Sequence, residues 1–124
     1  MIIDRDFHFT GLKNELDDIG FIDGVPFYRS EYKHLLELNE KDYEQIKNWV
    51  DSRLMPYMTR KSINESYSSY GLKHIAENEL DFYVSNGDIK YALLENDVPF
   101  KAYDRSPNTS YPLSQDFRKT VNRK

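Results

Sequence analysis

The sequence has no cysteine, only five glycines, and no apolar run longer than the four residues Tyr91–Leu94. The missing cysteines exclude a disulfide framework and thiol catalysis, and they are compatible with a reducing compartment. The five glycines are scattered, so they form no phosphate-binding loop. A run of four apolar residues is too short for a transmembrane helix or a signal peptide. We therefore expect a cytoplasmic protein that makes no membrane contact.

What the sequence has instead is aromatic side chains, with ten tyrosines and seven phenylalanines in 124 residues. Each aromatic ring buries a large area, so these residues compensate for a hydrophobic content of only 39%. A chain of this length is typical of one domain with a core of its own. We predict a single domain over residues 1–124, made of a β-rich lead-in with a short helix (1–38), a helical module (39–115) and a basic tail (116–124).

Charge is unevenly distributed along the chain, whose formal net charge is −4. Residues 1–50 hold six basic and eleven acidic residues, whereas residues 100–124 hold six basic and two acidic ones. An acidic half suits a surface that imitates nucleic acid, and a basic tail suits weak contact with nucleic acid or with an acidic protein. A solvated, frayed terminus is the simpler interpretation of the tail.

The N-terminal segment contains a hairpin signal at Asp23-Gly24. This pair lies between two apolar runs, and a type I′ turn needs a positive φ at both of its central residues. Pro26 cannot donate a ladder hydrogen bond, so its strand is predicted to lie at the edge of a sheet. Ser30 is the predicted N-cap of the short helix that follows.

The clearest helix begins after Asn39, a residue type that favours the N-cap position. Apolar side chains then recur at helical spacing until Pro56, which is predicted to mark the end of the helix. Residues 60–66 are predicted to form a polar connector. The recurring apolar positions are Tyr43, Ile46, Val50 and Leu54.

Two further helices are predicted after the connector, with a short apolar link between them. Ser68 or Ser69 caps the first helix, and Asn86 caps the second. Residues 82–84 are too apolar for a free turn, so they are predicted to form a short strand or a buried linker. The order of helix, link and helix is that of a helix-turn-helix unit.

A hairpin is predicted to follow the second helix, as in a winged helix-turn-helix. It pairs residues 98–103 with residues 111–113 around the turn Ser106–Asn108. Thirteen positions separate Ala76 from Ile89, against about ten in the compact motif, so we describe the unit only as helix-turn-helix-like. The predicted fold class is α+β, with a β-rich N-terminal part followed by helices and a C-terminal hairpin.

Residues 40–115 contain four short motifs in succession. The first is Trp49 with Leu54 and Pro56, and the other three are Ser68–Glu77, Phe82–Asp88 and Ser106–Asn108. Together they resemble a module in short proteins encoded by phages and mobile elements of low-GC Gram-positive bacteria. The most specific stretch is Ser-Tyr-Gly-Leu-Lys-His. The resemblance implies an accessory protein, within a group that includes inhibitors of host defence such as anti-CRISPR proteins, and it implies no particular biochemical activity. This chain departs from the pattern at Tyr111-Pro112, before the final strand.

Two histidine–glutamate pairs at helical spacing are the strongest candidates for chemistry. His34 with Glu37, and His74 with Glu77, each place an imidazole and a carboxylate one turn apart, as metal ligands or an acid–base pair would require. No third cluster of ligands is apparent, and the serines near His74 are better explained as helix caps. We therefore predict no metal, no cofactor and no catalytic residue, so that the protein is not an enzyme.

The first helix of the helix-turn-helix-like unit has one apolar stripe, which leaves a polar face for a partner. Tyrosine is enriched at interaction hot spots, so a face that carries tyrosine suits protein binding. We predict a non-enzymatic accessory protein that binds and inhibits a host macromolecule, in the first place a defence or nucleic-acid-processing protein. The predicted partner-binding residues are Tyr70, Lys73, His74, Glu77, Asn78, Lys90 and Tyr91.

The alternative function is a winged-helix-like DNA-binding regulator, in which the second helix would lie on DNA. The positions expected to be exposed on that helix hold one lysine against two acids, which opposes binding to phosphate. Under this alternative, the predicted nucleic-acid-binding residues are Lys73, Asn86, Lys90, Lys101 and Arg105. The sequence leaves open the identity of the partner and the oligomeric state.

Overall fold

The structure is a computed structural model that describes residues 1–121. A β-rich N-terminus is followed by helices, and the strands pair antiparallel, so the predicted α+β class is confirmed. The strands are β1 (His8–Lys13), β2 (Asp18–Ile22), β3 (Val25–Tyr28), β4 (Asn64–Ser68), β5 (Lys101–Ala102) and β6 (Thr109–Tyr111). The α-helices are α1 (Arg29–Glu37), α2 (Glu40–Trp49), α3 (Ser69–Leu80) and α4 (Asn86–Glu95).

The first sheet contains β1, β2 and β3 in that order, all antiparallel. Asp23 and Gly24 form the turn between β2 and β3, and their φ values of 48° and 83° are the positive pair that the predicted hairpin requires. Pro26 pairs with Phe21 in β3, which is an edge strand of this sheet as predicted. The missing N–H of Pro26 therefore removes no bond from a central ladder.

The second sheet has the order β4, β6, β5, and its central strand is the last one in the chain. The predicted hairpin is present, although β5 is only two residues long and β6 ends at Tyr111, directly before Pro112. The prediction of a polar connector over residues 60–66 is wrong in its second half, because Asn64 begins β4 and pairs with Tyr111. Its amide Nδ2 also donates to the Leu113 carbonyl at 2.8 Å.

Two of the predicted helix caps are confirmed. Asn39 Oδ1 accepts a hydrogen bond from Asp42 N at 2.8 Å at the start of α2. Ser68 Oγ accepts one from Gly71 N at 3.2 Å at the start of α3. Both side chains satisfy a backbone N–H that has no partner inside the helix, which is the physical basis of the cap preference.

The other two predicted caps are displaced by one or two residues. Ser30 lies inside α1, whose N-cap is Tyr28, and Asn86 is the first residue of α4, whose N-cap is Ser85. Ser85 occupies the cap because its hydroxyl accepts from Asp88 N at 3.0 Å while its own N–H donates to the Asp88 carboxylate at 2.9 Å. This reciprocal pair satisfies two N–H groups at once, which Asn86 alone would not do.

The helix that begins after Asn39 continues beyond the end of α2, but with helical hydrogen bonding other than that of an α-helix. A π-helical segment, Val50–Leu54, and a 3₁₀ turn, Met55–Tyr57, follow without a break. Pro56 lies in that last turn, so the predicted helix end is correct in place but the final two turns are not α-helical. Val50 and Leu54 remain fully buried, which keeps the apolar stripe facing the core.

Helix α4 is the centre of the molecule. It packs against α1, α2, α3 and β3, and residues 86–93 are all buried. The predicted order of helix, link, helix and hairpin is present, but the second helix is not the exposed element that a DNA-reading helix must be. The expectation that Asn86, Lys90 and Tyr91 are exposed is therefore wrong, and of the α4 positions expected at the surface only Glu95 is exposed.

The tail begins with a packed segment rather than a frayed one. Phe117 lies in the 3₁₀ helix Gln115–Thr120 and is fully buried, where its ring meets those of Tyr57 and Tyr67 at 5.9 Å between centroids. The interpretation of residues 116–121 as a solvated terminus is wrong for this reason. Arg123 and Lys124, the last two basic residues of the predicted tail, lie outside the described residues.

Candidate functional site

Five of the predicted partner-binding residues lie together on the outer side of α3. Tyr70, His74 and Asn78 are exposed, while Lys73 and Glu77 are partly buried. Lys73 forms an i,i+4 ion pair with Glu77, and the His74 ring meets the Tyr70 ring edge-on at 4.5 Å between centroids. We call these five residues the α3 face. Four of its side chains contact one another, namely those of Tyr70, Lys73, His74 and Glu77, so it is a defined surface rather than a set of free chains.

Helical geometry explains why the α3 face points outward. Ser69, Leu72 and Ala76 are buried on the opposite side of α3, at the spacing that one helical stripe requires. Glu79 extends this inner side toward α2, where its carboxylate accepts from Trp49 Nε1 at 2.9 Å and pairs with Arg53 at 2.6 Å. The inner stripe and the Glu79 contacts fix the rotation of α3, which leaves the α3 face to solvent.

Lys90, a residue of both predicted binding sets, is buried and is a structural residue. Its Nζ donates to the carbonyl oxygens of Pro26 and Pro107 at 2.6 Å each and to Glu31 Oε1 at 2.8 Å. All three ammonium N–H groups are therefore satisfied inside the protein. Burial lowers the pKa of Lys90 to about 8, against the opposing effect of Glu31. The prediction that Lys90 contacts a partner or nucleic acid is wrong, because no donor is left over.

Tyr91 is also removed from the predicted partner-binding set. Its ring is buried and lies 5.8 Å from the ring of Tyr43 on α2, measured between centroids. Burial raises the pKa of the Tyr91 hydroxyl above its ordinary value. The ring contributes to the contact between α4 and α2, so the structure assigns it to packing.

The residues predicted for nucleic-acid binding do not form one continuous basic surface. Lys101 is exposed on β5 and pairs with Glu65 on β4, which neutralises its charge locally. Asn86 is buried at the start of α4, whereas Arg105 is exposed in the loop before β6. Lys73, Asn86 and Arg105 nevertheless line one common feature, a cleft in the protein surface.

This cleft has a volume of about 510 Å³ and opens between the starts of α1, α3 and α4 and the loop 105–108. A volume of this size is typical of sites that accept a small molecule or an anchoring side chain. Asn14, in the turn between β1 and β2, donates to the Arg105 carbonyl at 3.2 Å and so connects the first sheet to the loop at the cleft. The lining includes Asn14, Tyr28, Ser30, Glu31, His34, Tyr70, Lys73, Tyr83, Ser85, Asn86, Arg105, Ser106, Pro107 and Asn108.

His34 and Asp88 form a hydrogen-bond contact beside the cleft that sequence reasoning missed. His34 Nε2 lies 3.1 Å from Asp88 Oδ2, and the two residues come from α1 and α4. Burial raises the pKa of the Asp88 carboxyl, and the hydrogen bonds from Ser85 and the neighbouring His34 oppose that rise. The predicted partner of His34 was Glu37, one turn away. The observed partner is 54 residues away, and no local spacing could have indicated it.

Tyr83 is a second cleft residue, and it lies in the segment that the sequence predicts to be a short strand or a buried linker. The link between α3 and α4 does bury Val84, but the Tyr83 ring is 61% exposed. Lys73 Nζ lies 5.1 Å from the centroid of Tyr83 and 5.8 Å from that of Tyr70. The His34 ring meets Tyr83 edge-on at 5.3 Å between centroids. The link therefore supplies an exposed ring that adjoins the α3 face.

Two buried polar atoms near the cleft have no hydrogen-bond partner among residues 1–121. Asn86 Nδ2 donates to Asn108 Oδ1 at 3.0 Å, but Asn86 Oδ1 accepts no hydrogen bond, and neither does Asp88 Oδ1. An unsatisfied buried acceptor costs free energy, so such atoms are uncommon and often lie at functional sites. Asn86 is the more informative of the two because it lines the cleft directly.

The histidine–glutamate pairs do not assemble a metal centre in the part of the chain that the structure describes. Glu77 pairs with Lys73 and His34 pairs with Asp88, so neither predicted pair is formed. Within residues 1–121, no group of three or more histidine, aspartate or glutamate side chains is arranged to hold a metal ion. No helix over the same residues combines the length and the apolar character that crossing a membrane requires.

Comparison of this chain with protein-family models, with curated proteins and with solved structures gives no match.

Proposed function

We propose that this protein is a non-enzymatic binding protein that engages a protein partner through the α3 face and the adjoining Tyr83. The observation that supports this proposal most is the exposure of two tyrosine rings, Tyr70 at 52% and Tyr83 at 61%, on either side of Lys73. Tyrosine carries a large apolar ring with a polar tip, and it is enriched at the hot spots of interfaces.

The arrangement of the α3 face also favours binding because its side chains are held before a partner arrives. Lys73 is restrained by the Glu77 carboxylate and by the two tyrosine rings, and Tyr70 is restrained by His74. A side chain that is already ordered loses less conformational entropy when an interface forms. The underlying helix is fixed by its buried stripe, so the face is presented on a rigid element.

The charge of this surface favours protein over nucleic acid as the partner. Lys73 is paired with Glu77, so the α3 face offers little net positive charge to a phosphate backbone. The buried α4 offers no reading helix for a major groove. A tyrosine-bearing surface with little net charge suits a protein interface, where tyrosine is enriched relative to the rest of the surface.

The resemblance of residues 40–115 to phage and mobile-element proteins suggests what the partner is. Under this proposal, the protein acts in the cytoplasm of a bacterial host and inhibits a defence or nucleic-acid-processing protein by occupying its surface. Inhibition by occupancy needs no catalytic residue, which agrees with the proposed absence of enzymatic activity.

The test is affinity capture from a lysate of a low-GC Gram-positive host, with and without nuclease treatment. The wild-type chain is compared with the double variant Lys73→Ala/His74→Ala and with the matched control Lys41→Ala/His8→Ala, which removes exposed residues of the same types from α2 and β1. Both double variants are expected to keep the free energy of unfolding within about 1 kcal/mol of wild type.

A nuclease-resistant protein that the wild type and the control capture, and that the Lys73→Ala/His74→Ala variant loses, supports the proposal. Capture that disappears on nuclease treatment would favour the alternative, a winged-helix-like DNA-binding regulator. Equal capture by all three chains would show that the interface lies elsewhere on the molecule.

A further inference from the structure

The start of α3 gives the cleft an uncompensated positive helix end. Tyr70, in the first turn of α3, lines the cleft, and that turn holds no acidic residue. The starts of α1 and α4 also reach the cleft, but Glu31 and Asp88 already compensate them. A helix N-terminus with no acid of its own attracts an anion.

Arg105 adds a positive charge that the fold does not use. Its side chain is 64% exposed at the cleft, and the carboxylate it contacts, that of Asp104, is 4.0 Å away. Lys73 lies on the same lining, between the two tyrosine rings, but its charge is already paired with Glu77. An arginine beside an uncompensated helix end forms a place where a phosphate group is stabilised.

Asn86 is a second, independent feature that points to a ligand. It is 7% exposed, lines the cleft, and has an Oδ1 atom that accepts no hydrogen bond from the part of the protein that the structure describes. A ligand with an N–H group near this atom would satisfy it. Asparagine is also the side chain that pairs with the amino and ring-nitrogen edge of adenine. A fully deprotonated anion alone would not satisfy Asn86 Oδ1, because it brings no donor.

The tyrosine rings of the cleft provide a surface on which a base can stack. Tyr70 and Tyr83 are both exposed and both line it, so each ring presents an open face or edge toward the opening. Every nucleic-acid base has a π-face, and stacking on tyrosine is a common way for proteins to hold one. The volume of about 510 Å³ lies within the range of pockets that hold molecules of nucleotide size.

We propose that the cleft binds a nucleoside monophosphate or a related small molecule that joins a base to a phosphate. The base stacks on Tyr83 or Tyr70 and donates to Asn86, while Arg105 and the start of α3 hold the phosphate. This ligand binds to the chain alone and does not depend on the protein partner proposed above.

Calorimetric titration of the full chain tests the proposal with four probes. Adenosine monophosphate and guanosine monophosphate each contain a base and a phosphate, whereas adenosine and inorganic phosphate contain only one part. At least one nucleotide is expected to bind with a dissociation constant below about 1 mM, which corresponds to 4.1 kcal/mol. Adenosine and inorganic phosphate are each expected to bind at least about tenfold more weakly, because each lacks one set of contacts.

Single substitutions test which residues contact the nucleotide. Tyr83→Ala is expected to weaken nucleotide binding by about tenfold or more, and Arg105→Ala by several-fold with a smaller dependence on salt. The matched control is Lys119→Ala, which removes a cation that is 82% exposed and lies outside the cleft, and it is expected to leave binding unchanged. Arg105→Ala is expected to retain partner capture, and His74→Ala is expected to retain nucleotide binding.

Three results would overturn the proposal. They are the absence of saturable binding for both nucleotides, equal binding of inorganic phosphate and nucleotide, and equal weakening by Lys119→Ala and Arg105→Ala. None of these results bears on the protein partner, which is tested separately by capture from lysate. The cleft and the α3 face can therefore fail as functional sites one at a time.

Discussion

Helices α3 and α4 follow one another in the chain, yet they use charged residues in opposite ways. In α4 the side chains of Asp88 and Lys90 are fully buried, each paired with a residue of α1. In α3 the charges of Lys73 and Glu77 pair with each other at the surface, one helical turn apart. The same residue types are structural in one helix and available to a partner in the other.

The difference follows from how many elements surround each helix. Helix α4 is enclosed by α1, α2, α3 and β3, so even its polar side chains must find partners inside the protein. Helix α3 is covered mainly on one side, by α2, α4 and β4. Charge in the sequence therefore does not indicate exposure.

The largest effect is expected for Lys90→Met. This change removes the ammonium group and leaves the Glu31 carboxylate and the carbonyls of Pro26 and Pro107 without their donor. Breaking one side of a buried pair is expected to lower the free energy of unfolding by about 3–5 kcal/mol, as measured by urea denaturation. The double variant Glu31→Gln/Lys90→Met is expected to recover part of that loss. A loss below about 1 kcal/mol for Lys90→Met would contradict the structural role.

The second experiment uses pH to separate Lys90 from the surface lysines. Its pKa in the folded protein is lowered to about 8, below the 10.5 of an unburied lysine, so the unfolded chain binds more protons between these values. Stability therefore rises with pH across this window. The free energy of unfolding of wild type relative to Lys90→Met is expected to rise by about 1–2 kcal/mol from pH 8 to pH 9.5. A flat difference would show that Lys90 titrates normally.

The third experiment compares the glycine in the first turns of the two helices. A Cβ atom at Gly87 in α4 would lie 3.0 Å from Glu31 Cβ, whereas one at Gly71 in α3 would meet only Ser68 Oγ, at 3.8 Å. Gly87→Ala is expected to lower stability by about 1 kcal/mol through crowding against α1. Gly71→Ala is expected to raise it by about 0.5 kcal/mol through backbone entropy. Thermal unfolding of both variants measures these two changes in stability. Changes of the same sign in Gly87→Ala and Gly71→Ala would contradict the expected difference between the two helices.

The smallest effect is expected for Lys73→Met on α3. An i,i+4 pair near the surface contributes about 0.2–0.5 kcal/mol, so the free energy of unfolding is expected to change by no more than this amount. Urea denaturation at low and at high salt checks the result, since salt screens such a pair in the wild type. A loss comparable to that of Lys90→Met would mean that α3 is as enclosed as α4.

Sequence reasoning succeeded where a few neighbouring residues decide the structure. The Asp23-Gly24 hairpin needs only two residues with positive φ, and the Asn39 and Ser68 caps need only a hydrogen bond across three positions. It failed at Ser85, where the competition with Asn86 was decided by a reciprocal bond with Asp88. The signal was present in that case, since a serine three residues before an acid is a capping box.

Sequence reasoning failed more deeply where distant segments meet. Strand β4 was missed because Asn64 and Ser66 are polar, and its existence depends on pairing with β6 more than forty residues later. The contact between His34 and Asp88, and that of Lys90 with Glu31, join α1 to α4 across more than fifty residues. The cleft is formed by the same kind of long-range contact between segments. Sequence patterns could therefore indicate individual lining residues, but not that these residues lie together.

Local residue patterns are enough to predict the α+β class, the N-terminal hairpin with its edge proline, the starts of α2 and α3 and the outward polar face of α3. Each of these depends on local geometry, namely backbone dihedrals, caps and the 3.6-residue period. The enclosure of α4, the structural roles of Lys90 and Tyr91 and the exposure of Tyr83 follow instead from the assembled fold. Burial is a property of the whole chain, because it depends on which distant segments cover a helix, and no local pattern of residue types records that.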